Sequence, residues 1–597
     1  MITGYDYAVI GFYFLFLSSL GWFYRHSSHD SDEFFRGGGR MPWWLVGSKS
    51  FMRSFSAWTF TGAAALAYDY GIVVLVLYLA NSFMFLTNWA WSAARFRQIR
   101  VIIGMEAVRL RLGRGNEQFS VWLSYPVGWL VAGIQLYGLG IICGSMFNLD
   151  IRMMIVVCGV SMIILSALGG AWGVTTGNFL QTIILMPVTF VVALYALRQC
   201  GGLASLIHRL PPDSLNPTAS NIHGFGAWFV AAAVLDKVFN ANSLQNSAGT
   251  FLSVRSGREA KKAALLGSGL FLVGCIIWFI PPLVARVQGI DLAASFPSLY
   301  KSSEGAYVAI AVRNLPAGLI GLFATGMISA TLATMDDSLS GSAAIITRSI
   351  YLPLMRPKAS EKELVLVGRL ATVFLGAVTI LIAIMYTTWK DVGVFKLMQN
   401  FSALLGVPVA VPMVLCLVVR RAPDWAAWST VAVSMTLVVV LSLLFSLAPV
   451  QGFVTGLGGS TYLQLFQEHD YAFFVVFNIV VGSLWYLGAS FLFPGRMSEP
   501  RRAQVADFFR RFDTPLTEQE LAAEGSDTYR TAGIGKLVMG FSAFVALLLF
   551  VPNTATDRLA ILFCTGFSGA TGLFLYVSGT RSDAAARLAK GAGGPAS

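Results

Sequence analysis

Long apolar stretches, each of about twenty residues or more, recur along this chain from residue 5 to residue 579. A helix needs about 20 consecutive apolar residues to cross the hydrocarbon core of a bilayer. A spanning β-strand needs about half that length and alternates in polarity, so unbroken runs exclude a barrel. About fifteen runs can be drawn, near 5–24, 43–71, 72–94, 119–146, 151–169, 174–199, 225–252, 263–287, 315–349, 366–388, 394–419, 427–448, 471–493, 533–551 and 557–579. Only 12 % of the 597 residues are charged and 56 % are hydrophobic. A soluble domain carries about twice that share of charge, so several water-facing cores are ruled out. The expected fold is an all-α polytopic membrane protein.

The loops set the expected topology. The first run is followed by Arg25 and His26 and preceded by no basic residue, the reverse of a secretory signal, so a permanent first helix is expected. A net charge of +12 would suggest nucleic acid in a soluble chain. Here the basic residues fall between runs, and no nucleic-acid partner is expected. Arg95, Arg97, Arg100, Arg109, Arg111 and Arg114 follow the third run, and Arg255, Arg258, Lys261 and Lys262 the seventh. Arg348, Arg356, Lys358 and Lys362 follow the ninth, Arg420 and Arg421 the eleventh, and Arg496, Arg501, Arg502, Arg510 and Arg511 the thirteenth. All lie after odd-numbered runs. The positive-inside rule then puts the N-terminus outside and the C-terminus in the cytoplasm of a cell-membrane protein. The longest polar stretch, 494–532, reads as a cytoplasmic amphipathic helix or loop, and the Ala/Gly-rich tail after Gly579 as disordered. Five cysteines lie inside runs and Cys200 at the end of one, with no CxxC spacing, so no disulfide framework is expected.

Ionisable residues at membrane depth are costly and mark function by default. Lys49 and Arg53 lie in the second run, Asp236 and Lys237 in the seventh, Asp336 and Asp337 in the ninth. Lys49 is close enough to the cytoplasmic edge to snorkel. Arg53 lies about ten residues in, roughly 15 Å deep at 1.5 Å per residue, which calls for a partner or a gating role. Asp236 and Lys237 are adjacent, so they point different ways on a helix; a polar lining and a specific role remain equal readings. Asp336 and Asp337 stand in a hydroxyl-rich segment, Ser329–Ser342, an oxygen donor set suited to a hard cation. Gly47–Ser56 and Asn240–Ser247 are small and polar inside otherwise apolar runs. They are five runs apart, in the second and the seventh, so their helices run oppositely. Such a pair points to an inverted-repeat transporter with its site at the midplane, since broken backbone at that depth must line a cavity. On this ground Asn240 and Gln245 are expected to line it.

Four stretches carry a resemblance. The first is Gly38–Gly47 (GlyGlyArgMetProTrpTrpLeuValGly), continued by Ser56–Gly62 and Ala67–Gly71; the second is Ala167–Gly170 with Gln181 downstream. The third is Arg255–Ala263 and the fourth Leu315–Leu322 through to Thr347–Tyr351. In order and spacing, over about residues 5 to 420, the chain resembles the sodium/solute symporter family of sodium/glucose, sodium/proline and sialic-acid transporters. The resemblance implies a LeuT-like core of two inverted five-helix repeats. That core would span 43–420, divided into 43–199 and 225–420. One helix would precede it in 1–42 and about four would follow in 421–597.

The resemblance also implies sites. The family's sodium ligands fall on the backbone carbonyls of Met52, Phe55 and Ala330 and on two hydroxyl positions, Ala333 and Thr334, of which alanine removes one. A family aspartate of a second sodium site falls on Asn178, and the other two positions of that site on Asp336 and Asp337. Negative charge would thus have moved between helices. Sugar-transporter solute positions fall on Thr59, Tyr78, Asn81 and Gln399, and only Gln399 keeps the family's residue type. A sugar-transporter lysine on the seventh core helix is absent, which counts against glucose or galactose.

The expected activity is sodium-coupled symport of a small organic solute (a sugar, sugar acid, amino acid or similar) by alternating access, with Na⁺ as coupling ion. The alternative is a cation-independent carrier in which Arg53 replaces the ion. An embedded enzyme would need a catalytic cluster at the membrane face, yet His26, His29, His208, His223 and His469 all lie outside the runs. A channel would need a repeated pore loop. The expected partners are the solute, sodium and the lipid bilayer, with no obligate protein partner.

Overall fold

The computed structural model describes residues 3–25, 30–147, 149–216, 226–296, 301–388, 402–447, 456, 470–493, 497–524 and 528–592. These residues form helices and turns, with one isolated bridge between Met41 and Val254. The main helices are α1 (Gly4–Tyr24), α2 (Trp43–Arg53), α3 (Gly62–Tyr70), α4 (Val73–Gln98, through a π turn), α5 (Gly104–Leu112), α6 (Arg114–Phe147) and α7 (Ile151–Cys200). Then come α8 (Ala227–Asn242), α9 (Leu244–Phe251), α10 (Gly257–Trp278), α11 (Ile280–Val287), α12 (Leu319–Ile345), α13 (Glu361–Tyr386) and α14 (Val407–Leu415, after a π turn at Ser402–Gly406). The last six are α15 (Trp425–Ser446), α16 (Asp470–Leu492), α17 (Glu499–Asp513), α18 (Glu518–Glu524), α19 (Thr528–Ala546) and α20 (Ala555–Ala592).

Local signals start and stop these helices. Asp150, Ser256 and Ser360 accept the backbone N–H three residues on and open α7, α10 and α13. Eleven helices among the described residues are long and apolar enough to cross a membrane. One of them, α7, is two spans. Its 50 residues would reach about 75 Å if straight, far more than a bilayer needs. Gly170 stops this with φ 54° and ψ −157°, a conformation other residues adopt only under strain. The chain folds back there: a methyl group on Gly177 would lie 3.4 Å from Leu165 Cδ2, although the two residues would be about 18 Å apart on a straight helix. With α7 counted twice, the broken pairs α2–α3 and α8–α9 and the short α14 account for the remaining runs.

The core is wound around α7 and α12. Helix α7 packs on α1, α2, α12 and α13, and α2 and α4 both pack on α10. Helix α8 packs on α4 and α16, while α19 and α20 form a hairpin of their own. Asp6 is fully buried at the start of α1 and accepts the N–H groups of Gly318 and Gly321 at 2.8 and 2.7 Å. These are the unpaired donors at the start of α12, a site that favours a carboxylate, so α1 and α12 begin on the same side. The loops sort in the same way. At one end Arg111 bonds Cys416 O, Arg348 pairs with Glu106, Arg501 with Asp424 and Arg100 with Glu520. At the other end Asp69 pairs with Lys301, Arg286 donates to Tyr68 O, and Tyr195 donates to Asp557.

Two expectations need correction. The segment 494–532 holds two helices rather than one; Val505, Phe508, Phe509 and Phe512 bury the inner face of α17 against the end of α4 and against α5. The tail after Gly579 continues α20 to Ala592; its Ala, Arg, Leu and Lys residues are strong helix formers.

Candidate functional site

Between α2 and α3 the helical ladder opens from Ser54 to Thr61. Ser56 is extended, at φ −148° and ψ 172°, before a single 3₁₀ turn at Ala57–Phe60. The opening is held by α12. The Ala57 N–H donates to Thr331 Oγ1 at 3.0 Å. Thr334 Oγ1 lies 2.6 Å from Phe55 O, 3.2 Å from Met52 O and 3.1 Å from Ala330 O. A threonine hydroxyl has one proton to give, so three carbonyls converge on a group that can serve one of them. Four oxygens from two elements thus face one point with acceptor capacity to spare, the chemistry that takes a hard cation at unwound membrane helices. Ala333 is fully buried and contributes a methyl group. Asn178 is fully buried in α7, and no described residue hydrogen-bonds its amide.

Beside this cluster the buried charges are wired. Asp337 takes Lys49 Nζ at 2.9 Å and Arg53 Nε at 3.2 Å, with 9 % of its side chain exposed. Arg53 also donates to Thr250 Oγ1 at 2.8 Å, so α2, α9 and α12 meet at one cationic pair. Lys49 therefore does not snorkel. Its side chain is 10 % exposed and ends on Asp337, because an ammonium that can reach a carboxylate gains more than one stretched along an apolar wall. Asp336 points elsewhere, as neighbouring residues on a helix must. It is fully buried and accepts from Ser166 Oγ on α7 at 2.8 Å, and its Oδ2 has no partner among the described residues.

One wall of a cavity of about 680 Å³ is formed by Arg53, Phe55 and Thr334. The same cavity is lined by Thr59, Tyr78, Asn81, Asn240 and Gln245. Gln399 lies outside the described residues. Tyr78 Oη donates to Thr59 Oγ1 at 2.7 Å, and the Tyr78 ring stands parallel to Trp58 with centroids 5.9 Å apart. Asn81 Oδ1 and Gln245 Oε1 have no partner among the described residues. They are acceptors held ready in a polar wall.

The second break falls at Ser243, at φ −69° and ψ 129°. Asn242 pins it, accepting from Ser92 Oγ at 2.6 Å and donating to Thr87 Oγ1 at 2.8 Å. Asn88 donates to Ala241 O at 2.8 Å. Above the break, Asp236 accepts from Asn240 at 2.6 Å, Ser402 at 3.1 Å and Tyr471 at 3.0 Å. Sequence reasoning left a polar lining and a specific role as equal readings for Asp236 and Lys237 and did not assign Thr331. A hydroxyl one turn from Thr334 on a helix facing a broken segment was the available signal for Thr331.

The model of the sodium:solute symporter family matches residues 34–447. Human sodium/myo-inositol cotransporter 2 is 25 % identical over 463 residues, covering 72 % of this chain and 68 % of that protein. Rat sodium/glucose cotransporter 2 is 24 % identical over 465 residues, covering 71 % and 69 %. A solved substrate-bound, outward-open Na⁺-coupled sialic acid symporter superposes with a TM-score of 0.69 at 18 % identity, over 82 % of this chain and 98 % of that one. A nucleobase-cation-symport-1 family transporter follows with a TM-score of 0.53 at 13 % identity, over 79 % and 98 %. No finding supports the cation-independent carrier, and the partners of Arg53 are Asp337 and Thr250. The chain belongs to the sodium:solute symporter family, and with its LeuT-fold core it is a sodium-coupled symporter of a small solute rather than an enzyme.

Proposed function

We propose that the coupling sodium ion binds among Met52 O, Phe55 O, Ala330 O and Thr334 Oγ1, and that the solute binds in the adjoining cavity at Thr59, Asn81, Asn240 and Gln245. The observation that carries this is the convergence of three carbonyls on the Thr334 hydroxyl, at 2.6–3.2 Å, in the wall of that cavity. An ion there ties α2 to α12 and so biases the tilt of one repeat against the other, which is the coupling that symport requires. Arg53 and Lys49 hold Asp337 beside the site and set the local charge the ion meets. The solute is hydroxyl-rich, in keeping with unfilled amide acceptors in the wall and with relatives named for myo-inositol and glucose. The basic end of the molecule, with Arg100, Arg111, Arg348 and Arg501, faces the cytoplasm, which puts the N-terminus outside and the C-terminus inside. The core is 43–420, with 1–42 before it and 421–597 around it.

The test is sodium-dependent uptake in proteoliposomes by Thr334→Ala. Loss of one oxygen ligand should raise the sodium concentration for half-maximal uptake about tenfold, the equivalent of one charge-assisted contact, with maximal uptake largely kept. An unchanged sodium response would move the ion elsewhere.

A further inference from the structure

We propose that Lys237 is the anion-binding residue of the solute cavity, and that the solute is a small hydroxylated organic acid. This rests on the symport reading and narrows its substrate class. Trp228, Ala231 and Leu235 form the exposed outer stripe of α8. Lys237 leaves the helix on the other side, with Phe229, Ala233 and Asn240, and lines the open cavity, where it too is exposed. It is the eleventh residue of α8, about 15 Å from the helix start. No described carboxylate pairs with it. Its neighbour Asp236 is held by three neutral donors on Asn240, Ser402 and Tyr471. The other cavity cation, Arg53, already has Asp337.

The cavity therefore holds the Asp236 carboxylate, already met by three donors, and the Lys237 ammonium, which no described residue meets. While the cavity is open, water solvates it. Alternating access closes the cavity around the solute and removes that water. A neutral solute would then leave a bare charge at membrane depth, which is strongly disfavoured. A carboxylate on the solute supplies the missing partner. Asn81 Oδ1 and Gln245 Oε1 are acceptors without donors, so the rest of the solute must present hydroxyl hydrogens. An acid bearing hydroxyl groups satisfies both demands, whereas a neutral polyol satisfies only the second.

The experiment is competition and uptake with the purified full-length protein in proteoliposomes. The probes are D-glucuronate and D-gluconate against D-glucose and myo-inositol, with sodium or with potassium in its place. The acids should outcompete the neutral solutes. Lys237→Gln should weaken acid binding about tenfold or more, the loss of one charge-assisted pair, and leave neutral-solute binding nearly unchanged. Lys237→Arg should restore the acid to within about threefold, since it keeps the charge, and controls for folding. Competition by neutral solutes alone, or an equal loss for acid and neutral solutes in Lys237→Gln, overturns the proposal. If acids bind through Lys237 but uptake is unchanged with potassium, the proposal stands and the sodium-coupled reading fails.

Discussion

The two broken helices occupy corresponding places in the two halves of the core, yet they are opened by different means. The first, between α2 and α3, is loosened from Ser54 to Thr61 and is tied to α12 by one amide, one hydroxyl and the Lys49–Asp337–Arg53 group. The second, between α8 and α9, yields at Ser243 alone and is tied to α4 by neutral amide and hydroxyl bonds. The first leaves acceptors in excess beside paired charges, which suits a place whose charge changes when an ion arrives. At the second, Asn242 has every amide group bonded, which fixes a shape and costs little to keep when no ion is present. The difference teaches that one architectural device, a helix opened at mid-membrane, takes its function from what faces the opening.

The sharpest way to break this contrast is Asp337→Asn. It strands two cations that share one carboxylate in a site where the carboxylate is 9 % exposed. Removing one partner of a buried ion pair costs about 3–5 kcal/mol. Thermal unfolding in detergent should shift down strongly and transport should be lost. Lys49→Met combined with Asp337→Asn should recover part of the stability, because Arg53 keeps Thr250 and is the more exposed cation. Parental stability in Asp337→Asn alone would mean that the first break is not held by charge.

At the second break the matching change is Asn242→Ala. It leaves Ser92 Oγ without its acceptor and Thr87 Oγ1 without its donor. Unsatisfied neutral groups of this kind cost about 1–3 kcal/mol, less than stranded charges. The solute concentration for half-maximal uptake should rise while the sodium response stays parental. A sodium response that shifts as much as in Thr334→Ala would erase the division of labour between the breaks.

Much of this was legible in the sequence, for reasons that differ by residue. The openings at 47–56 and 240–247 stand out because small polar residues interrupt apolar runs, and that pattern has few other uses in a membrane. The convergence at Thr334 was reachable only through the family register, since nothing in one sequence says which hydroxyl of Ser329–Ser342 faces α2. Lys49 was misread as snorkelling because depth can be counted along a helix but the neighbouring helix cannot. Asp336 and Asp337 looked like one feature, yet they diverge by one residue's rotation, to Ser166 and to Lys49 with Arg53. The reversal at Gly170 shows in the sequence as the gap between the runs 151–169 and 174–199, and a single glycine with positive φ makes the whole turn.

The smallest expected effect sharpens the comparison at the arginine-rich end of the molecule. Helix α17 lies over α5 and the end of α4, the elements against which α9 packs, and α18 is tied to the turn between them through Glu520. The strap is fastened by Arg100, the non-glycine residue with positive φ among those described, at 63°. Its guanidinium donates to both carboxylate oxygens of Glu520, at 2.6 and 3.1 Å, and to Pro515 O at 3.2 Å. That bonding, helped by the Thr517 N–H, holds Glu520 down at about 2, against an ordinary value of 4.5. A depressed carboxylate gives its full contribution above the unfolded value and loses it as pH falls from there through the folded one. The fastening should therefore be indifferent to pH between 5 and 8 and weaken only in acid, from about 4.5 toward about 2. Both side chains are partly exposed, at 21 % and 39 %, so the pair contributes about 1 kcal/mol or less. Glu520→Gln should raise hydrogen exchange in α9 slightly at every pH from 5 to 8 and leave α2 unchanged, because α2 is held from the α10 and α12 side. Equal changes in both segments, or none in either, would show that the strap does not back the second break, and that the two breaks differ only in what faces them from within the membrane.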